Sequence, residues 1–295
     1  MGHVVKPLRI GLLGATGLIA QELASHLRKE GHQVVGFTRT SSDEVSFLTY
    51  SKLSNQTELS AIVNLVGGHS KNSSAHDGNG IREIDVLASE WAESNNKPYI
   101  YVSSGAIFGT RLPSPVSDSS PMVENQSMEP YASSKVQAEL RHETLRERGT
   151  LVSDLRLFSY AGPEFISMGN YFLSRLFRAA EEGREFEVRG PGFIRDYIGV
   201  QELWQAIEIS MSLEVGVKAN LFSNEPVSRV QLLDLTRKHL GLKFKYSQDG
   251  SKDDSEIETY YSKHSKALMT YTPRKSSTVV LESLLAARAL SQGHA

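Results

Sequence analysis

The chain has 295 residues, no cysteine, and 32 Lys and Arg against 34 Asp and Glu. That length can bury a large core in one domain or two lobes, and a formal net charge of −2 gives no electrostatic basis for binding nucleic acid or an anionic membrane. The lack of cysteine excludes disulfides, thiolate metal sites and a cysteine nucleophile. No run approaches the ~18 apolar residues of a membrane span, and no metal site is expected. A cytoplasmic enzyme or small-molecule-binding protein is the expected class.

The opening apolar run, LRIGLLGATGLIA, is broken by glycine and lacks a signal-peptide cleavage pattern. From there β-branched or apolar runs alternate with helical patterns. Strands are expected at Leu8–Gly14, Gln33–Thr38, Ala61–Val66, Tyr99–Ser103 and Ser153–Phe158, with helices at Leu18–Glu30, Gly80–Asn95 and Ser127–Arg148. Such alternation predicts an α/β fold, a doubly wound parallel sheet with helices on both faces. Beyond residue 160 the pattern changes. MGNYFLSRLFRAAEEG reads as a helix, EFEVRGPGFIRDYI as a strand and turn, and VQELWQAIEISMSL as a further helix. KANLFSN reads as a strand, Ser228–Leu240 as a helix and Ser247–Ser255 as a polar surface loop. Residues 1–160 are therefore expected to form the main domain and 161–295 a smaller substrate-binding lobe, with a segment near 217–223 returning to the sheet.

IGLLGATGLIAQEL spaces Gly11, Gly14 and Gly17 between a strand and a helix. A dinucleotide site needs a tight turn, a close backbone approach to the pyrophosphate, and close helix–strand packing with the anion at the helix N-terminus. A Rossmann domain is expected, with Gly11, Gly14, Thr16, Gly17, Leu18 and Ile19 along the cofactor. Leu65, Val66 and Gly67, at the carboxyl end of the third long strand, are expected at the same edge. The second strand ends GFTRTSS, without the Asp or Glu that would bond the ribose hydroxyls of NAD. Arg39 can pair with a 2′-phosphate where a carboxylate would repel it, so NADP(H) is expected over NAD(H).

Ser104 follows the strand PYIYV, at the edge where a nicotinamide would sit. Tyr131 and Lys135, in PYASSK, lie four residues apart in a helical pattern that Ser127 and Pro130 introduce, and so share one face. A phenol titrates near ~10. A neighbouring ammonium and an oxidised nicotinamide both favour tyrosinate, and a shift of ~3 units corresponds to about 4 kcal/mol. Tyr131 can then act as general acid or base on a carbonyl or hydroxyl oxygen, with Ser104 holding that oxygen and Lys135 anchoring the ribose. Tyr271 and Lys275 have the same spacing, but Pro273 between them breaks the helical register, so that pair is read as accidental.

These residues resemble the extended short-chain dehydrogenase/reductase family, also called the NAD-dependent epimerase/dehydratase family. The likeness runs over nearly the whole chain: GLLGATG, AIVNLVGG, YVSSGAIFG, YASSK, LRLFSYAGP, RDYIGV, NLFSNEPVS and SKALMTYTPRKS occur in the family's order. The resemblance implies that Ser104, Tyr131 and Lys135 are catalytic. It also implies that Asn170 and Arg195 approach the diphosphate of a sugar nucleotide, with an ion pair to Asp196 as the structural alternative for Arg195. Asn79 matches an asparagine opening the fourth helix, or is simply a helix cap. Ser159 stands where many epimerases carry asparagine in the substrate site. Gly105 and Ala106 replace the acidic pair of the dehydratases, so dehydration is not expected. The interval between the second and third long strands is short, as in the 4-keto sugar-nucleotide reductases. The leading expectation is an NADPH-dependent reductase of a C4 ketone in a nucleotide-linked deoxysugar. A sugar-nucleotide epimerase comes second and a non-catalytic NADP-binding regulator third. By resemblance, the helices at Gly80–Asn95 and Ser127–Arg148 pair across a two-fold axis in a homodimer.

Overall fold

A computed structural model describes residues 7–39, 47–67, 77–109, 112, 115–123, 129–248 and 257–293, with backbone only at 77–79 and 257. In chain order the elements are β1 (Arg9–Leu13), α1 (Leu18–Lys29), β2 (Gln33–Thr38), β3 (Leu48–Thr49), β4 (Ala61–Asn64), α2 (Asp77–Asn95), β5 (Tyr99–Ser104), α3 (Pro130–Glu147) and β6 (Val152–Leu157). They continue as α4 (Pro163–Met168), α5 (Phe172–Glu181), β7 (Glu185–Val188), β8 (Gly192–Arg195), α6 (Val200–Ser212), β9 (Lys218–Asn220), β10 (Val227–Ser228), α7 (Arg229–Leu240), β11 (Lys243–Tyr246), β12 (Ile257–Tyr260) and α8 (Ser276–Gly293).

Two compact units make up the chain. The first comprises residues 1–107, 122–156 and 206–219, and the second 108–121, 157–205 and 220–295, so the division is not a single cut near residue 160. A seven-stranded sheet runs in the order β3-β2-β1-β4-β5-β6-β9, with β2/β3, β1/β2, β1/β4 and β4/β5 all parallel. The chain leaves β1 for one side and returns to its other side at β4, which makes a topological switch point at the carboxyl ends of those strands. Burial on both faces explains the apolar runs Ile10–Leu13 of β1 and Tyr99–Val102 of β5. α1 packs through Ala20, Leu23, Ala24 and Leu27, the spacing of one helical face.

No α-helix joins β2 to β4 among the described residues. The strand β3 leads instead into a 3₁₀ segment, Tyr50–Asn55, whose Leu53 is buried. The α2 side clamps this short crossover, because Trp91 Nε1 donates to Gln56 O at 3.1 Å and Lys97 Nζ to Thr57 O and Leu59 O.

The second unit holds a three-stranded sheet, β10-β8-β12, and a parallel pair, β11-β7. Its core is apolar, with Leu173, Leu176, Phe177, Leu232, Val280 and Leu284 among the buried residues. α7 is the most completely signalled helix. Ser228 and Gln231 form a reciprocal capping box, and Gly241 closes the helix at φ 74°.

Three expectations need correcting. α3 starts at Pro130, after a Glu129 that makes no side-chain cap, and Ser127 lies outside the described residues. The stretch 168–183 is not one helix, because α4 ends at Met168 and α5 begins at Phe172. Gly169 makes this break, and a side chain there would meet Phe165 O at 2.3 Å. EFEVRGPGFIRDYI supplies strands to two different sheets. Helix α8 had no counterpart in the sequence reading, although Val279, Val280, Ser283, Leu284 and Ala287 line its buried side. Residues 249–256, most of the expected polar loop, lie outside the described residues.

Candidate functional site

The glycine loop leaves the carboxyl end of β1 at the switch point. Gly14 has φ 78°, and a Cβ there would meet Val66 at 3.2 Å, so this position requires glycine both for its conformation and for the approach of the two loops. Its amide and that of Ala15 donate to Phe37 O, and Gly17 donates to Gly14 O at 2.9 Å. Gly17 is the N-cap of α1 and supplies no side-chain cap, so the first amides of the helix are left for an anion. Thr16 is exposed and Leu18 and Ile19 half-buried at the same end. Gly11 differs from its expected turn role. It lies inside β1, where a Cβ would press on Leu59 at 2.9 Å, so its smallness serves core packing. Arg39 follows β2 and is exposed. Tyr50, which the sequence reading passes over, stands beside them. Burial pushes its phenol up, while the Gly14 backbone and the Arg39 cation oppose the rise.

On α3, Tyr131 is half-buried and Lys135 fully buried. The Lys135 ammonium donates to Val102 O at 2.8 Å and Val66 O at 3.2 Å. It lies 4.3 Å from the centroid of the Tyr101 ring and 5.8 Å from that of Tyr131. Burial pushes its pKa down to about 8, against the pull of Asp85, Glu139 and Asp154. Gly67 closes the group, since a Cβ there would lie 3.5 Å from the Tyr131 ring and 3.6 Å from Lys135 Nζ. Leu65 and Val66 are half-buried in the same loop. Ser104 ends β5, buried, with its Oγ accepting from Ala106 N at 3.2 Å. Tyr131, Lys135, Val66 and Gly67 thus come together at one sheet edge. Tyr271 and Lys275 have nothing in common with that arrangement: Tyr271 is buried against Phe222, and Lys275 pairs with Glu225.

Beneath Lys135 lies a buried polar cluster that the sequence reading missed. His142 Nδ1 is 2.5 Å from Asp154 Oδ1, and Nε2 is 2.9 Å from Asp85 Oδ1. Arg141 binds Asp85 and Arg146 binds Asp154. Burial opposes charge on the imidazole, but the two carboxylates outweigh it and raise His142 to about 9. Burial would likewise raise Asp85, yet His142, Tyr99 and Arg141 hold it down to about 2. Glu139 binds Arg156 and Ser103. The available signal was Asp and Arg inside the strand VSDLRL, which is otherwise Val, Ser and Leu, opposite a helix with Lys135, Glu139 and His142 at i, i+4 and i+7.

In the second unit, Ser159 is half-buried and its carbonyl accepts from Ile198 N. Asn170 is exposed in the break between α4 and α5, and its Oδ1 accepts from Arg178 at 3.1 Å. Arg195 stacks on the Phe193 ring at 4.4 Å. Among the described residues it has no ion pair with Asp196, whose carboxylate accepts instead from Ser223 and Ser262. Asn79 lies in the first turn of α2, its side chain outside the described residues. Among the described residues, no cluster of His, Asp and Glu is arranged to hold a metal ion, and no helix is long and apolar enough to cross a membrane.

A family model described as "NAD dependent epimerase/dehydratase family" matches residues 10–220. The chain belongs to that family, the extended short-chain dehydrogenase/reductase enzymes, and its fold is theirs. Among solved structures it is similar to UDP-N-acetylglucosamine 4-epimerase from Bacillus cereus (TM-score 0.75, 16% identity, 95% of this chain and 99% of that one). It is also similar to UDP-glucose-4-epimerase from Stenotrophomonas maltophila with bound NAD and formylated UDP-arabinopyranose (0.77, 16%, 97% and 99%). A third similar structure is UDP-glucose 4-epimerase from Thermotoga maritima with UDP-glucose (0.76, 17%, 96% and 100%). A search of curated proteins found no match.

Proposed function

We propose that this enzyme interconverts a hydroxyl and a carbonyl at C4 of a nucleotide-linked sugar, with a nicotinamide dinucleotide as hydride carrier. The observation that carries this reading is the buried Lys135 ammonium, held by two backbone carbonyls beside the Tyr131 ring. The residues at the carboxyl ends of β1 and β4 fit such a cofactor. Gly14 leaves room where a Cβ would fill the gap to Val66, and the α1 N-terminus has no side-chain cap to compete with a pyrophosphate. Bound there, the dinucleotide supplies a hydride acceptor when oxidised and a donor when reduced. Tyr131 transfers the proton of the sugar oxygen, Ser104 donates a hydrogen bond to that oxygen, and Lys135 holds the ribose and favours the tyrosinate. In the second unit, Asn170 and Arg195 bind the diphosphate.

Epimerisation is the better supported of two outcomes, because the solved structures this chain resembles include UDP-sugar 4-epimerases. Reduction with NADPH is favoured by one observation, Arg39 exposed at the end of β2 where an acid would select NAD. Incubation with a panel of UDP-sugars and dTDP-4-keto sugars separates them. An epimerase forms the C4 epimer without net change in NADH absorbance, whereas a reductase consumes NADPH mole for mole. Tyr131→Phe is expected to lower turnover about 10²–10⁴-fold with cofactor binding retained. Undiminished turnover in that variant overturns the assignment. α2 and α3 expose Val86, Leu87 and Leu140, which supports pairing of two copies through these helices.

A further inference from the structure

A single chain of hydrogen bonds connects the buried cluster to the loop that seats Lys135. Asp85 is held low and acts only as an acceptor, so the Tyr99 hydroxyl donates to its Oδ1, at 2.6 Å. That hydroxyl has one proton, and its oxygen is therefore left to accept from Asn64 Nδ2 at 2.8 Å. The Asn64 amide is oriented by this contact, and its Oδ1 is turned to accept from Val66 N at 2.9 Å. Val66 O in turn accepts from Lys135. The donor direction at every step follows from the charge at the far end. A buried carboxylate paired with an imidazolium sets a phenol, the phenol sets an amide, and the amide sets the loop.

All of these groups belong to one unit, and Asn64, Asp85, Tyr99, Lys135, His142 and Asp154 are buried. Replacing such ion clusters with apolar packing often leaves stability unchanged or improved, so stability alone is a weak reason for them. Orientation of a loop is a reason the geometry supplies. Without the Tyr99 hydroxyl, Asn64 Nδ2 has no acceptor among the described residues, and rotation of the amide would set NH₂ against the Val66 N–H.

We infer that Tyr99, backed by the Asp85–His142–Asp154 cluster, is a positioning residue: through Asn64 it fixes the Leu65–Gly67 loop and with it the seat of Lys135. The inference rests on the reading that this loop and Lys135 face a nicotinamide cofactor.

Tyr99→Phe keeps the ring and deletes only the hydroxyl. Two measurements are made, amide hydrogen exchange at Val66 in the cofactor-free protein and calorimetric titration with NADH and with NADPH. The control is Trp91→Phe, which removes a different, partly buried hydrogen bond of the same unit, the one to Gln56. Tyr99→Phe is expected to speed exchange at Val66 and to weaken binding of the preferred nucleotide, each about tenfold. Trp91→Phe lowers the melting temperature without either effect. Asn64→Ala, which leaves Tyr99 on Asp85, reproduces both changes and serves if Tyr99→Phe does not fold. Unchanged exchange at Val66 overturns the inference whether or not a nucleotide binds. Faster exchange with unaltered affinity overturns it too, as do equal effects in the Trp91 control. A wild-type protein that binds neither nucleotide overturns the cofactor reading instead, and Val66 exchange then still decides whether Tyr99 holds the loop.

Discussion

Each unit buries aspartate, and the two sites treat it in opposite ways. In the first unit, Asp85 and Asp154 face the His142 imidazolium and the guanidiniums of Arg141 and Arg146, and both are held below the usual carboxylate range despite their burial. In the second, Asp196 accepts hydrogen bonds from Ser223 and from the Ser262 amide, and burial raises it to about 6. Neutral donors satisfy its lone pairs without repaying the loss of hydration of a charge. Burial decides how strongly a carboxylate responds, and the charge of its partners decides the direction. The first site keeps its charge in the whole physiological range, as an element that orients other groups must. The second changes state near pH 6.

The largest test removes charge from the first site. Asp154→Asn leaves the buried His142 and the half-buried Arg146 beside a neutral amide and is expected to destabilise the protein by about 3–5 kcal/mol, measured by urea unfolding. Equal stability would mean that the cluster is not a charged one.

Asp196→Asn is expected to cost about 1–3 kcal/mol at pH 5, because an amide nitrogen cannot accept from Ser262. The sign of the pH dependence follows from the raised value. The folded state favours the neutral acid, so its contribution is full below about 3.8 and is lost as pH rises through about 6. The asparagine carries no such term, and the gap between variant and wild type should narrow at pH 8. A gap that widens would reverse the assignment.

His142 gives a loss of the same sign at higher pH. Its folded value is raised to about 9, so its contribution is full below about 6.5 and is lost as pH rises through about 9. Wild-type stability should therefore fall between about pH 6.5 and 9, and the imidazole resonances should titrate near pH 9 by NMR. Titration near the ordinary histidine value would break the contrast between the two sites.

The smallest effect is expected where charges pair in water. Lys245 and Glu185 form an ion pair exposed at both partners, and Lys245→Ala should leave the melting temperature unchanged within error.

Much of this was legible because it is local. Alternation of apolar strands with helices, glycine at Gly14 and Gly17, and the four-residue step from Tyr131 to Lys135 are periodicities that backbone geometry imposes on neighbouring residues. Pro273 was enough to set the Tyr271 pair aside, and the two residues lie in unrelated surroundings. Other features depended on residues far apart in the chain. Gly11 reads as a turn residue until Leu59 and Phe37 are found against it. The break at Gly169 is hidden inside a helical pattern, because it depends on the approach of Phe165 O and Ser174. Asp85, Tyr99, His142 and Asp154 look like unremarkable polar positions until α2, β5, α3 and β6 bring them together. The sequence by itself determined the doubly wound class, the glycine loop after β1 and the Tyr–Lys face, since each is written in short-range spacing. Only the tertiary structure decided which charges are buried together and what they hold in place, because burial and partnership are set by strands and helices distant in sequence.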